Sequence, residues 1–490
     1  MWRCQDAVQT QCTVYDVGGR EGIRNQKIAA FKNTSAPFTP NEVPTKPLDI
    51  IIFGEGAGGE LGLGSKEVDG LSPIEAMNPR SHPLLSAKDV GVVQVACGGN
   101  HGIAITRDNQ ILTWGLNDYG ALGRNTNVEE AKDDMLNPSE STPKAIDTSN
   151  LDPDIKWVQV VGSECASFAL TTDGRVFGWG TFRGKDGIIG FTYISKNHPD
   201  NQYIQKTPRH IPELKGIKQL AAGKNHVLAL DQNGKVYSWG CGENGQLGRR
   251  TSSRYPSHAL RPERVRGFKG KVYKVVCGAH HSFALSKIIR MYCPKYLREI
   301  RYYYWRAAFA WGLNNYGQLG SPDAIVGAGA IQPTPVRIPG LLRYDIFDIA
   351  GGEHHSLAVT RKGQLLTWGR VDSFQTGFRT HVFTKKNVIF DKNEKPRILL
   401  VPTIMPEMPH ITSVNAGPDH CFAITTKGGK VYSWGSSYNG RTGHDNEDDT
   451  EIPTLVNYIT LHEKKVVFAG AGGSFSILAS IAKDAREEEN

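Results

Sequence analysis

The sequence predicts an all-β fold, a seven-bladed β-propeller closed by pairing of its N- and C-terminal strands. Three observations carry this reading. Seven aromatic-Gly pairs recur at intervals of about 60 residues, at Phe53-Gly54, Trp114-Gly115, Trp179-Gly180, Trp239-Gly240, Trp311-Gly312, Trp368-Gly369 and Trp434-Gly435, and a fixed period of this size marks a stacked repeat. Each copy reads as several short strands separated by glycine-rich connections. The first and last copies are incomplete in complementary ways.

The elements are clearest between Ile217 and Gly248. Ile217 to Ala221 is a short, partly apolar run, and Ala222-Gly223-Lys224-Asn225 is a tight connection into a second apolar strand, His226 to Leu230. Asp231-Gln232-Asn233-Gly234 then supplies an Asn-Gly hairpin, and Lys235 to Trp239 alternates with period two. Cys241-Gly242-Glu243-Asn244-Gly245-Gln246-Leu247-Gly248 closes the unit in a glycine-punctuated turn. Such a unit cannot bury its apolar faces alone, so seven copies favour radial closure over an open solenoid. Ala471-Gly472-Gly473-Ser474-Phe475 to Ala479 has the first strands but no Trp-Gly strand, whereas Ile50 to Gly54 has that strand and nothing before it. Joined, they complete one blade and remove the open edge.

The tandem of Ala-Gly-Gly-x-His, hairpin, Trp-Gly and Asn-x-Gly-x-Leu-Gly resembles the regulator of chromosome condensation family, seven-bladed propellers typified by the guanine-nucleotide exchange factor for the nuclear GTPase Ran. The resemblance runs from Leu48 to about Ala479. It implies a propeller over 48–480, an N-terminal segment over 1–47 expected to be flexible, and a charged tail over 481–490. Propellers of this kind also serve ubiquitin ligases, a plant ultraviolet receptor and bacterial inhibitors, so fold alone does not settle function.

Composition narrows the field. A chain of 490 residues can bury a large core. It has no apolar run near the roughly 20 residues that span a bilayer, and Gln5, Asp6, Gln9, Gln11 and Asp16 stand where a signal peptide needs an apolar stretch. A soluble intracellular protein without membrane attachment is expected. Eight cysteines lie scattered without a Cys-x-x-Cys pair, so Cys97, Cys165, Cys277 and Cys421 read as reduced packing residues and no metal site is expected.

The formal charge of +8 is unevenly distributed. The motif histidine or its equivalent precedes the next Trp by 13 residues at His101, Ala166, His226 and His355 and by 14 at His420, but by 30 at His281. The surplus, roughly Ser286 to Ala308, carries Lys287, Arg290, Lys295, Arg298, Arg301 and Arg306 against Glu299, a contribution of 6 − 1 = +5. It reads either as a basic aromatic loop that binds something or as an unspliced stretch translated into the inferred protein sequence. An insertion inside a tight hairpin favours the second.

Residues common to every blade serve the blade, and residues that break the pattern are candidates for function. By this test the repeated Trp is core. The histidines at 101, 226, 281, 355 and 420 read first as hydrogen-bonded strand-start residues, although their ends could cluster on one face. One breach is sharp: the aromatic precedes the closing Gly of its turn by 9 residues in six copies but by 11 at Trp179, where the turn reads Thr181-Phe182-Arg183-Gly184-Lys185-Asp186-Gly187-Ile188-Ile189-Gly190. Such an extension can project as a small hairpin.

The resemblance places the family's GTPase wedge at this turn, with Arg183 on the wedge arginine and Lys185 and Asp186 beside it. It also implies GTPase contacts for Glu164, Arg249, His101 and His355. Asn225 stands where an aspartate is expected, and Ala57 where another acidic residue is expected, so Asn225 would give a neutral bond in place of an ion pair. A second breach follows Leu247-Gly248, where Arg249, Arg250, Arg254, Arg261, Arg264 and Arg266 oppose only Glu263. Arginine forks suit carboxylate clusters, and the resemblance implies that Arg249, Arg250, Arg254 and Arg261 contact the acidic patch of core histones on the nucleosome. A contact with DNA has little support, because Met1 to Pro47 lacks the family's basic tail. Either nuclear import uses another signal or this start is incomplete.

No cofactor site emerges, since the chain has no phosphate-binding Gly-Lys-Ser/Thr loop and no metal-ligand spacing. The function implied is guanine-nucleotide exchange on a Ran-type small GTPase, in the nucleus and on chromatin, without covalent chemistry. The alternative is a scaffold propeller that recruits a protein partner. A plant-type light receptor is disfavoured by the absence of a Gly-Trp-Arg-His-Thr cluster.

Overall fold

The computed structural model describes residues 38–65, 75–127, 136–193, 203–292, 301–321, 324–379, 383–444 and 448–482. Seven antiparallel sheets follow one another along the chain as blades. Blade 1 is Val92–Cys97, His101–Thr106, Ile111–Gly115 and Lys144–Ala145; blade 2 is Trp157–Gly162, Ala166–Thr171, Val176–Gly180 and Gln205–His210. Blade 3 is Ile217–Ala222, His226–Asp231, Val236–Gly240 and Glu263–Val265. Blades 4 and 6 begin at Lys271 and Ile411 in the same order of strands, and blade 5, from Ile346, adds a fifth strand, Val388–Phe390, outside Pro396–Ile404.

Blade 7 is the closure. Val466–Ala471 pairs with Phe475–Ile481, which pairs with Leu48–Glu55 in a ladder running from Leu48↔Ile481 to Gly54↔Phe475. The two ends of the propeller therefore share one sheet, as the complementary half-copies predict.

A network that recurs between blades explains the turn motif. Ser167, Ser282 and Ser356, each the residue after the motif position, donate to the carbonyls of Ala121, Gln246 and Gln318 in the turn of the preceding blade. Trp179, Trp311 and Trp368 donate their indole N–H to the same three carbonyls, at 2.7, 2.9 and 2.8 Å. One turn carbonyl thus fills both lone pairs from the next blade, which satisfies buried donors that would otherwise be costly. The turn must approach closely. At Gly248, with φ +64°, an added Cβ would sit 2.7 Å from the Trp311 indole nitrogen.

Two expectations change. Residues 38–47, assigned to a flexible N-terminal segment, include anchored backbone: Asn41 donates its side-chain amide to the carbonyls of Thr171 and Ile217, both at 2.9 Å, and Lys218 lies over the Phe38 ring. Residues 1–37 and 483–490 lie outside the described residues. The surplus in blade 4 is not a loop that interrupts a hairpin, because His281–Tyr292 and Arg301–Leu313 stay in continuous register from His281↔Gly312 to Tyr292↔Arg301. Both strands simply run on past Ser286↔Ala307.

Excising 288–304 would leave five residues between Leu285 and Ala308, the same connection that joins Leu230 to Val236 in blade 3. The excised protein is expected to keep its thermal midpoint within a few degrees. A loss of several kcal/mol in urea unfolding would make the ribbon a structural member.

Candidate functional site

The turns after each Trp-Gly strand and the Gly-x-His connections lie at one end of the blades, since two antiparallel strands joined by one hairpin separate them. The seven inner connections ring a central depression of about 210 Å³ lined by Gly98, Gly162, Gly223, Gly278, Gly352, Gly417 and Gly472. Backbone bonds between neighbours run from Gly99 N–H to Ser163, Glu164 to Lys224, Lys224 to Ala279, and Ala279 to Gly352.

The extended turn of blade 2 forms its own two-stranded sheet, Phe182–Gly184 with Gly187–Gly190. Both feet are anchored in aromatic packing. Phe182 is wholly buried and stacks at 5.9 Å on Phe168 and 6.2 Å on Phe191, while Phe168 meets Trp239 edge-on. Lys185 and Asp186 are exposed at the tip, and Ile188 is 42% exposed. Arg183 is half-buried, its guanidinium 4.8 Å from the Tyr119 ring centre of blade 1.

The departure of this turn has a structural counterpart that the sequence displays. At the interface of blades 2 and 3, the motif histidine is Ala166 and the following-blade serine is Val227, so the recurrent polar network is replaced there by the Phe168, Phe182, Phe191 and Trp239 cluster. There the turn packs Phe182 and Phe191 into the cluster that holds Trp239.

Half-buried charges stand at the same end of the blades as the hairpin. Glu164 accepts from the Asn225 amide at 2.8 Å and lies 3.6 Å from Lys224, which is 3.8 Å from Glu353. His280 lies 3.9 Å from Glu353, and Arg370 lies 3.9 Å from Asp419. Burial holds the His280 and His354 pKa values below the ordinary imidazole value, the carboxylate of Glu353 opposing it. His280, His354 and Asp419 were missed in the sequence; they occupy the position just before the motif histidine, where the repeat does not constrain the residue type.

Four expected contact residues point inward from the surface. His101 and His355 are fully buried, with Nε2 bonded to Ser167 Oγ at 2.9 Å and Cys421 Sγ at 2.9 Å of the next blade, so neither presents its side chain at the surface. Asn225 is 7% exposed, and its side-chain oxygen accepts the Arg183 backbone N–H at 2.8 Å. An aspartate there would set a carboxylate against Glu164. Arg249 is turned inward: its guanidinium donates to the carbonyls of Ser238, Ala259 and Arg261 and pairs with Glu263 at 3.3 Å. It fastens the arginine loop to blade 3 and leaves that surface to Arg250, Arg254 and Arg261, all exposed.

The model of the RCC1-like domain matches residues 49–478. The chain belongs to this family. Among RCC1-like proteins it is 36% identical over 483 residues to Protein pim1 of Schizosaccharomyces pombe, with 96% of this chain and 82% of pim1 covered. It is 34% identical over 472 residues to the guanine nucleotide exchange factor SRM1 of Saccharomyces cerevisiae, covering 92% and 90%. The crystal structure of Prp20p from Saccharomyces cerevisiae, described with its binding to Gsp1p and histones, superposes with a TM-score of 0.78 at 33% identity over 92% of this chain and 95% of that one. Yeast RCC1 (Prp20) bound to Kap60 matches equally, with a TM-score of 0.78 at 32% identity.

Proposed function

We propose that this protein is a guanine-nucleotide exchange factor for a Ran-type small GTPase, acting in the nucleus on chromatin, with the hairpin 182–190 as its wedge. The observation that carries the reading is the hairpin itself. It alone among the seven aromatic-Gly turns is extended by two residues, and it projects exposed Lys185, Asp186 and Ile188 beside Glu164 and Lys224. The kinship to SRM1 and Prp20p supports the assignment.

Exchange then follows from linkage: a face that binds nucleotide-free GTPase more tightly than the loaded form must, by reciprocity, loosen the nucleotide. A nucleotide held at picomolar strength represents about 16 kcal/mol, so a large face with an intruding element is needed. The protein sets no direction, and the prevailing nucleotide reloads the GTPase. The residues proposed to meet the GTPase are Arg183, Lys185, Asp186 and Glu164, with Asn225 acting behind them.

A Ran-type GTPase stripped of nucleotide is expected to co-elute with this protein, and GDP or GTP should dissolve the complex. Binding indifferent to nucleotide would favour the scaffold reading instead. For chromatin, Arg250, Arg254 and Arg261 are proposed to meet the acidic patch of the core histones. Changing all three to Ala should weaken nucleosome binding about tenfold at low salt and flatten its salt dependence, as expected when exposed charge pairs are lost. Unchanged affinity and slope would remove the loop from this role.

A further inference from the structure

We propose that Glu243 and Asn225, both on blade 3, are positioning residues that hold the blade 2 hairpin at its working angle, an inference that rests on the exchange reading above. The hairpin leaves blade 2 after Thr181, yet its polar anchors come from its neighbour. At the base, the Asn225 side-chain oxygen accepts the Arg183 N–H at 2.8 Å while its NH2 donates to Glu164 Oε2 at 2.8 Å. At the tip, Glu243 Oε2 accepts the Lys185 N–H at 2.9 Å.

A second observation points the same way. A Cβ added at Gly184 would lie 2.7 Å from Glu243 Oε1, so the glycine between the two anchored amides is what lets the carboxylate close on the strand. Tyr119 of blade 1 supports the opposite side through the Arg183 guanidinium. A two-stranded hairpin of this length is marginal alone, and an element that must displace a tightly held ligand works best when its geometry is fixed in advance. Glu243 therefore acts through the hairpin and not on the GTPase.

Asn225 fits this role because it donates and accepts at once. An aspartate would keep the bond to Arg183 but repel Glu164, whereas Gln at position 164 would turn that repulsion back into a hydrogen bond.

The test uses Glu243→Ala, Glu243→Gln and Asn225→Asp, read by amide hydrogen exchange of the free protein and by steady-state nucleotide exchange on a Ran-type GTPase. Glu243→Ala should speed exchange of the Lys185 amide at least tenfold, lower kcat about tenfold and leave KM within twofold, as for loss of a hydrogen bond to a charged acceptor. Glu243→Gln should restore most of both. Asn225→Asp should lower kcat several-fold. An unchanged Lys185 amide, a loss confined to KM, or a Gln variant as poor as Ala would overturn the proposal. Hydrogen exchange needs no GTPase, so an inactive wild type with the expected amide protection would fault the exchange reading and leave the clamp standing.

Discussion

Shortening the hairpin by two residues between Arg183 and Asp186, to the length of the sister turns, is expected to slow GDP release from a Ran-type GTPase by about 100-fold while leaving the propeller folded. The magnitude corresponds to roughly 3 kcal/mol of transition-state stabilisation, at about 1.4 kcal/mol per tenfold, within the range that one central interface cluster supplies. Stability should be spared because the buried anchors, Phe182 and Phe191, are retained and the removed residues lie at an exposed tip. Arg183→Ala should give a smaller loss, since the Arg183 backbone bond to Asn225 survives. Stopped-flow release of a fluorescent GDP, with thermal unfolding as control, measures both. Exchange at the wild-type rate after shortening would return this turn to the class of neutral insertions.

Acid is expected to unfold the protein between about pH 6 and pH 5. His101, His226, His281, His355 and His420 are wholly buried, each with Nε2 bonded to a serine or cysteine of the next blade. The serine hydroxyls spend their protons on carbonyls, Ser167 on Ala121 and Ser282 on Gln246. Nε2 therefore carries the histidine proton, and Nδ1 has no partner in any of the five. Protonation would bury an unpaired N–H and a charge, so burial lowers these pKa values to about 4 at His101 and His355, about 3 at His226, and well below 6.5 at His281 and His420.

Because the folded values lie below the unfolded value near 6.5, the unfolded chain binds more protons as pH falls. The stability is fully present above pH 6.5 and is lost on acidification towards the folded pKa values. Each group contributes up to about 1.4 kcal/mol per pH unit, and five give about 7 kcal/mol by pH 5.5, comparable to the 5–15 kcal/mol of a typical domain. Urea unfolding at pH 7.5, 6.5 and 5.5 should show this slope, and His226→Gln should reduce it by about one proton. A flat stability profile across that range would contradict the burial of neutral imidazoles.

Much of this architecture was legible because it repeats. The Trp-Gly strands, the inner connections and the shared seventh blade follow from spacing alone, and the extended hairpin announced itself as 11 residues among six turns of 9. Side-chain direction was harder. The strands that begin with the motif histidine are buried along their whole length, as in His101–Thr106 and His355–Thr360, so no polar alternation reveals which way the imidazole faces. Arg249 could not be read as internal from its charge, because only the fold of the loop back over Ala259 and Arg261 supplies the carbonyls that receive it. Asn225 looked like a weakened contact; its bond to the Arg183 amide belongs to tertiary geometry. The partner loss at Ala166 and Val227, beside the long turn, was visible in the sequence; blades 7 and 1 lose the same pair at Phe475 and Gly102 with a turn of ordinary length, so the loss accompanies the hairpin without fixing its place.

The most direct measurement is the rate of fluorescent GDP release from a Ran-type GTPase, in excess unlabelled nucleotide, with and without catalytic amounts of this protein. Acceleration by several orders of magnitude, equal with GDP or GTP as the incoming nucleotide and largely lost when the hairpin is shortened, is the predicted result. Release at the intrinsic rate, from a folded protein that still binds the GTPase, would contradict exchange and leave a propeller that only recruits its partner.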